Sequence, residues 1–296
     1  MRTPAAEHLI RQRIAALGRV LPAARQGDVT SLHQARVATR RLREALPLIA
    51  RSEKAEKLTR SVRRLTKALG PVRELDVALL ILDELDDGAD APRQGIHRLR
   101  SAIIDERRRL RAEMRRQISS FDLDALLKKS VAAARKTGAV GGKRDPQHAA
   151  AARARVGRRA QRLEAAIENA AGLYLPDRLH DVRIGVKKLR YALELSQGGN
   201  STRGSARLRL LKSIQDLLGR MHDLEVLIAR TRGIQSSPGA SSLKVSGDLD
   251  LLVRRLETEC RQLHGHYMAG RRDLLALCHR LIAAAERGAR SRTTAA

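Results

Sequence analysis

Aromatic residues are scarce in this sequence, which has no tryptophan, one phenylalanine and three tyrosines. Proteins that bind single-stranded nucleic acids usually stack the bases on aromatic side chains. The four aromatic residues here, Phe121, Tyr174, Tyr191 and Tyr267, are too few for such a platform. The composition therefore argues against recognition by base stacking, although it leaves contact with a nucleic-acid phosphate backbone open.

Cysteines and long apolar segments are also rare. Cys260 and Cys278 lie about 27 Å apart along one predicted helix at a rise of about 1.5 Å per residue, too far for a disulfide. Free thiols are typical of the cytoplasm. No segment approaches the roughly 20 apolar residues of a membrane span, and the N-terminus lacks a signal-peptide core. We therefore expect a cytoplasmic protein with no membrane partner.

Charge of one sign dominates the chain. Lysine and arginine total 59 against 32 aspartate and glutamate residues, a formal net charge of +27 over 296 residues. Such an excess implies a polyanionic partner. Because 43% of the residues are nevertheless hydrophobic, the chain has enough apolar side chains to bury a core and is not a disordered basic tail.

Apolar residues recur every three or four positions through almost the whole sequence, and the alternating pattern of strands is absent. Clusters of Gly, Pro, Asn and Ser divide the chain into predicted helices. These helices span about 4–25, 31–51, 53–69, 73–86, 96–118, 122–136, 147–171, 177–197, 205–218, 222–232 and 248–286. The sequence predicts an all-α fold without a cofactor.

The chain is predicted to contain two helical modules, at 4–136 and 148–286, joined by a linker at 137–147 and followed by a flexible tail at 287–296. Two sequence blocks occur in both modules. LHQARVATRRLREAL at 32–46 aligns with LHDVRIGVKKLRYAL at 179–193, and LGPVRELDV at 69–77 aligns with LGRMHDLEV at 218–226. This internal repeat predicts two bundles related by a pseudo-twofold axis.

The first repeated block places basic side chains in a stripe along one helix face in each module. The stripes are His33, Arg36, Arg40 and Arg43, and His180, Arg183, Lys187 and Arg190. No acidic residue occurs between His33 and Arg43, whereas a solvated helix face usually mixes acidic and basic residues four apart. Most other arginines, such as the run at 107–109, are interpreted as ordinary solvated surface. A rigid row of cations about 15 Å long suits a linear chain of phosphates.

The two repeated blocks together resemble the CHAD family, the conserved-histidine α-helical domain, over residues 5–286. The resemblance implies two four-helix bundles with a basic groove, non-enzymatic binding of inorganic polyphosphate, and association with polyphosphate granules and their proteins in bacteria. It implies that both stripes bind the ligand. Further positions suggested by the repeat and the resemblance are Arg63, Arg73, Arg107, Arg111, Lys212 and His222.

Two positions depart from the repeat. Pro47 follows the first stripe where the second module has Glu194, so we expect the first stripe to end in a kink, because proline removes a helical hydrogen bond. His222 aligns with Arg73, so this position is expected to be uncharged at neutral pH in one module.

Other functional classes have weaker support. A metal site around His33 and His180 lacks converging ligands, and no nucleotide-binding glycine loop occurs. The carboxylate pairs Glu74–Asp76 and Asp223–Glu225 are interpreted as first-turn residues that favour the helix dipole and pair with arginines rather than as catalytic acids. The second hypothesis is a sequence-independent nucleic-acid or nucleoid protein, and the third is a phosphohydrolase.

The first prediction concerns salt. Binding through many phosphate contacts releases counterions, so the affinity for polyphosphate should fall steeply as salt rises. The slope of log affinity against log salt should reach about 0.7–0.9 per phosphate neutralised if polyphosphate behaves as nucleic acids do. Calorimetric titrations over a salt series measure this slope, and an affinity that does not respond to salt would contradict ionic binding.

Overall fold

The computed structural model describes residues 5–49, 53–88, 91–136, 146–196, 206–236 and 242–293. Within these ranges the chain forms ten α-helices and no strand. The helices are α1 (Ala5–Gln26), α2 (Val29–Ile49), α3 (Glu53–Ala68), α4 (Gly70–Asp86), α5 (Arg93–Ser119), α6 (Leu123–Lys136), α7 (Pro146–Ala170), α8 (Pro176–Ser196), α9 (Ala206–Gln235) and α10 (Leu243–Thr293). The all-α prediction is confirmed.

The predicted helices differ from the observed ones chiefly at one internal break and at the C-terminus. The break expected at 219–221 is wrong, because α9 continues from Ala206 to Gln235. Gly219 is compatible with a helix. The aligned Gly70 instead precedes Pro71, which has no backbone N–H to donate, and the helix is interrupted there between α3 and α4. Helix α2 continues through Pro47 to Ile49, within the predicted span of 31–51, and the kink expected at Pro47 stays a prediction. At the C-terminus α10 extends to Thr293, so most of the expected tail is helical.

The turn between α1 and α2 is built by glycine and aspartate. Gly27 adopts φ +88°, a left-handed conformation that ends a helix at low cost only for glycine. The Asp28 carboxylate then accepts a 2.7 Å hydrogen bond from the backbone N–H of Ser31, which caps the start of α2. This tight turn makes α1 and α2 antiparallel neighbours and fixes the start of the first basic stripe.

Two hydrophobic cores form the interior, and α4 and α5 contribute to both. Val72 at the start of α4 and Met114 near the end of α5 pack with α1, α2, α3 and α6. The remainder of α4, including Leu82, and the first half of α5, including Leu99, pack with α7, α8, α9 and α10. The second core therefore includes helices from before the predicted linker.

Residues 137–145 lie outside the described residues, so the predicted linker is untested there, while 146 and 147 begin α7. The pseudo-twofold relation and the module boundaries stay predictions. Packing nevertheless crosses the predicted boundary, because α4 and α5 precede it in sequence and complete the core that follows it.

Polar contacts also join helices from the two sides of the predicted module boundary. Arg230 of α9 donates to Glu74 of α4 at 3.0 Å and to Glu106 of α5 at 2.5 Å. The carboxylate of Asp248 in α10 accepts hydrogen bonds from the first backbone N–H groups of α5 at Gln94 and Gly95, at 2.9 and 3.2 Å. Since a carboxylate at a helix N-terminus stabilises it, α10 holds α5 in place.

The second prediction tests this shared core with fragments. Residues 146–296 alone should not unfold cooperatively, because the apolar surface that α4 and α5 cover would be exposed. A fragment of residues 70–296, which restores both helices, should recover a cooperative thermal transition followed by circular dichroism. Burial of a leucine side chain contributes about 1.5–3 kcal/mol. The free energy lost with the burial of Leu75, Leu82, Leu99 and Ile103 therefore exceeds half the free energy of unfolding of a typical domain. Equal melting temperatures for the two fragments would contradict the shared core.

Candidate anion-binding site

The two basic stripes meet where α2 contacts α8. Arg36 of α2 interacts electrostatically with Arg183 of α8, and Lys187 of α8 interacts with Arg36 and Arg40. Arg73, from the first turn of α4, also acts on Arg36. These five residues, Arg36, Arg40, Arg73, Arg183 and Lys187, are named the central cluster.

Arg36 of the central cluster is held by a hydrogen bond to a backbone carbonyl. Its Nη1 donates to the Thr66 carbonyl at 3.2 Å, one of the last carbonyls of α3, which have no partner within their own helix. A Cβ at Gly70 would lie 3.0 Å from this Nη1, so glycine leaves room for the guanidinium. Burial, together with the charges of Arg40, Arg73 and Arg183, lowers the pKa of Arg36 to about 10.

Lys187 is the most strongly perturbed cation of the site. Burial lowers the pKa of Lys187 to about 7, with further lowering from Arg183, Arg40 and Arg36 and partial compensation from Asp223. The neutral amine of Lys187 is therefore accessible near neutral pH. A negatively charged ligand would favour the ammonium form.

The carboxylates around the central cluster have structural partners. Asp223 faces Arg183, Lys187 and Arg73, yet burial outweighs these cations and raises the pKa of Asp223. Glu225 accepts a 2.8 Å hydrogen bond from the Tyr174 hydroxyl. Sequence reasoning assigned neither acid to the site, since their proximity to the cations depends on how α9 packs against α8 and α4.

The interpretation of the carboxylate pairs as first-turn residues is wrong. Asp223 and Glu225 lie in the middle of α9, and no acidic residue occupies the first turn of α4. The expected pairing with arginine is present, because Glu74 pairs with Arg230 at 3.0 Å and Asp76 pairs with Arg107 at 2.7 Å.

Histidines line one end of the cluster. The rings of His180 and His222 lie 4.9 Å apart between centroids, and Arg183 Nη2 lies 3.4 Å from His180 Nδ1. Burial and Arg183 lower the pKa of His180, and burial, Arg183 and His180 lower the pKa of His222 to about 4. Burial and Arg73 likewise lower the pKa of His33. His222 is thus neutral at pH 7, as its alignment with Arg73 suggested.

Four of the predicted site residues are engaged elsewhere. Arg107 forms an ion pair with the fully buried Asp76 carboxylate, and Arg111 donates to the Gln26 carbonyl at the end of α1 at 2.7 Å. Lys212 pairs with Asp216 at 2.6 Å on the exposed surface of α9. Arg190 lies 3.8 Å from Glu194. These contacts give each residue a structural role, and their ligand-binding role stays a prediction.

The remaining two predicted residues extend the site beyond the central cluster. Arg43 interacts with Arg40 on one side and with the exposed Arg63 of α3 on the other. Burial, followed by the charge of Arg63, lowers the pKa of Arg43. The α2 stripe therefore continues from the central cluster to the surface of α3.

Several guanidinium donors at the site are buried without a hydrogen-bond partner in the described part of the chain. They are Arg73 Nη1, Arg183 Nε and Arg190 Nε. Buried donors are normally satisfied, and each one left without a partner costs about 1–3 kcal/mol. Arg73 and Arg183 therefore keep hydrogen-bonding capacity that no described protein group uses.

Two further classes of site have no counterpart in the ranges that the structure describes. No three histidine, cysteine or carboxylate side chains come close enough to hold a metal ion there. None of the described helices is both long and apolar enough to cross a membrane. Cys260 and Cys278 are both buried free thiols within α10, as their spacing predicted.

Comparisons with known proteins identify the family of this architecture. Residues 8–232 match the CHAD domain family. The structure is similar to a crystal structure of the CHAD domain from the plant Ricinus communis, with 24% identity, a TM-score of 0.67 and 90% of each chain covered. It is also similar to PptA from Streptomyces chartreusis, with 17% identity, a TM-score of 0.63, and 90% of this chain and 97% of the other covered. No curated protein sequence matches this chain significantly.

The third prediction concerns Lys187 and pH. Because its pKa is about 7 in the folded protein and about 10.4 in an unfolded chain, the unfolded state binds more protons between these values. The ligand-free protein should therefore gain stability as the pH rises from about 7 to 9. Lys187→Met should raise the free energy of unfolding at pH 7 by about 1–2 kcal/mol and weaken this pH dependence.

Urea unfolding at pH 7, 8 and 9 measures both effects. Lys129→Met provides the control, since Lys129 is exposed on α6 and its replacement should leave stability and pH dependence unchanged. A Lys187→Met protein with the wild-type stability profile would show that Lys187 is not strained by its neighbours.

Proposed function

Because the chain belongs to the CHAD domain family, we propose that it binds inorganic polyphosphate without hydrolysing it. The observation that carries this proposal is the meeting of five cations from α2, α4 and α8 in the central cluster. Mutual repulsion makes such a cluster unfavourable unless a polyanion neutralises it. We further propose that the protein acts in the cytoplasm at polyphosphate granules, where it meets other granule proteins.

A linear polymer fits the arrangement better than a single small anion. The stripe from His33 to Arg43 follows one helix face for about 15 Å, and the second stripe adjoins it along α8. Arginine presents forked donors to successive phosphate oxygens, while Lys187 supplies a point charge. Neutral His180 and His222 add uncharged donors at the edge of the cluster.

Binding without catalysis is supported by the carboxylates. Glu74 and Asp76 are paired with Arg230 and Arg107, and Glu225 is bonded to Tyr174. Asp223 faces Arg183, Lys187 and Arg73 of the central cluster, and burial raises its pKa. Three of the four carboxylates are therefore held in structural contacts, which limits their use as a general acid or base.

The fourth prediction separates the central cluster from the overall charge. Arg40, Arg73, Arg183 and Lys187 are changed together to alanine, while Arg36 is kept because it bonds to the end of α3. The matched control replaces Arg98, Arg109, Arg272 and Arg280, which are exposed residues of α5 and α10 outside the central cluster. Both variants lose four basic side chains.

The affinity for long-chain polyphosphate, measured by calorimetry at one salt concentration, should fall at least a hundredfold in the central-cluster variant. Charge-assisted hydrogen bonds contribute about 1.5–3 kcal/mol each before discounting for exposure. The control should lose only a few-fold, because long-range attraction is screened over roughly 8 Å at physiological salt. Melting temperatures check that both variants fold.

Two outcomes would overturn the proposal. Equal losses in the two variants would mean that total charge alone attracts the polymer. Displacement of bound polyphosphate by duplex DNA at equal phosphate concentration, with the reverse exchange failing, would favour the nucleic-acid hypothesis.

A further inference from the structure

Helix α7 carries a third basic stripe that the internal repeat does not reveal. From Pro146 to Leu163 the sequence contains five arginines and no acidic residue. Three of them, Arg155, Arg159 and Arg162, have the spacing i, i+4, i+7, which places them on one helix face. Arg36, Arg40 and Arg43 in α2 have the same spacing. We name Arg155, Arg159 and Arg162 the α7 stripe.

Glu44 fixes the α7 stripe beside the first basic stripe. Its Oε2 accepts hydrogen bonds from Arg155 at 2.5 Å and from Arg159 at 3.5 Å. All three side chains are largely buried at this contact, with 14–17% of each exposed. Because Glu44 directly follows Arg43 in α2, the α7 stripe begins where the α2 stripe ends.

Lys188 connects the α7 stripe to α8 and α2. It is exposed and interacts electrostatically with Arg159, Arg162 and Arg43, while Arg43 in turn interacts with Arg40 of the central cluster. The cations therefore form a continuous path from the central cluster, over Arg43, to Lys188 and the exposed Arg162.

The charges along this path are far from balanced. Glu44 is the carboxylate shared by Arg155 and Arg159, and it stands among five cations when Arg43, Arg162 and Lys188 are included. Arg155 Nε is buried and has no hydrogen-bond partner in the described part of the chain. The Glu44 carboxylate positions Arg155 and Arg159, but it neutralises only part of the positive charge around it.

We propose that the α7 stripe and Lys188 bind a second segment of the same polyphosphate chain, which leaves the central cluster over Arg43. This inference rests on the proposed function. A chain long enough to reach both surfaces binds the second one intramolecularly, so its affinity exceeds that of a short chain without any change in the central cluster. The α7 stripe thereby makes the protein selective for long polyphosphate.

The test is a double variant, Arg162→Gln with Lys188→Gln, which removes the two exposed cations and leaves the Glu44 contacts intact. Its matched control is Arg98→Gln with Arg272→Gln, at exposed positions on α5 and α10. The probes are sodium tripolyphosphate and a long-chain inorganic polyphosphate, each titrated into the full chain by calorimetry at several salt concentrations.

We expect the double variant to bind tripolyphosphate as the wild type does and to bind long-chain polyphosphate at least tenfold more weakly. Its salt slope for the long chain should fall by about 1.5, since each lost phosphate contact removes about 0.7–0.9. The control should retain the wild-type preference for the long chain and its salt slope.

The possible failures are distinct. If the wild type binds neither probe, the proposed function fails. If the wild type binds the long chain and the double variant binds it equally well, or if the variant loses affinity for both probes to the same extent, the inference about the α7 stripe is wrong while polyphosphate binding stands. A melting temperature equal to that of the wild type verifies that the variant is folded.

Discussion

The main physical constraint on this structure is that like charges are held together where α2 contacts α8. The central cluster is costly in the absence of a ligand, which is visible in the pKa values of Arg36 and Lys187, lowered to about 10 and about 7. Apolar residues directly beside the cations offset this cost. Leu42 and Leu189 are fully buried one or two residues from basic positions, so burying the apolar face of each helix also fixes its charged edge.

Carboxylates divide the many basic residues into two groups. Arg107, Arg220 and Arg230 face acidic partners at 2.5–3.0 Å and connect helices to one another. In contrast, Arg40 and Lys187 lie chiefly among other cations. Removing one partner of a buried ion pair leaves an uncompensated charge and costs several kcal/mol. The arginines paired with carboxylates therefore stabilise the fold, and this fold holds the cations of the central cluster in position.

Local sequence patterns were sufficient for most of the helices and for the two stripes on α2 and α8, because helical periodicity depends on residues that are close in sequence, although the break predicted at 219–221 was wrong. They were insufficient wherever a contact joins distant segments. The pairing of Arg107 with Asp76, the approach of Asp223 to Arg183, and the contribution of α4 and α5 to the second core all depend on tertiary packing. The α7 stripe was missed for a different reason. It occurs once, so the repeat did not mark it, and its position beside the α2 stripe depends on a tertiary contact with Glu44.

One proline makes the two copies of the site unequal. The helix is interrupted at Pro71, between α3 and α4. The Thr66 carbonyl near this break accepts a hydrogen bond from Arg36. The second copy has Arg220 in place of Pro71, and α9 passes through the same point unbroken. The backbone carbonyls there are used within the helix, so Arg183 is held instead by the charges of Asp223 and Glu225. The proposed polyanion would therefore compete with two carboxylates at Arg183, whereas at Arg36 it would compete with the charge of Glu74 alone, since the hydrogen-bond partner of Arg36 is a neutral carbonyl.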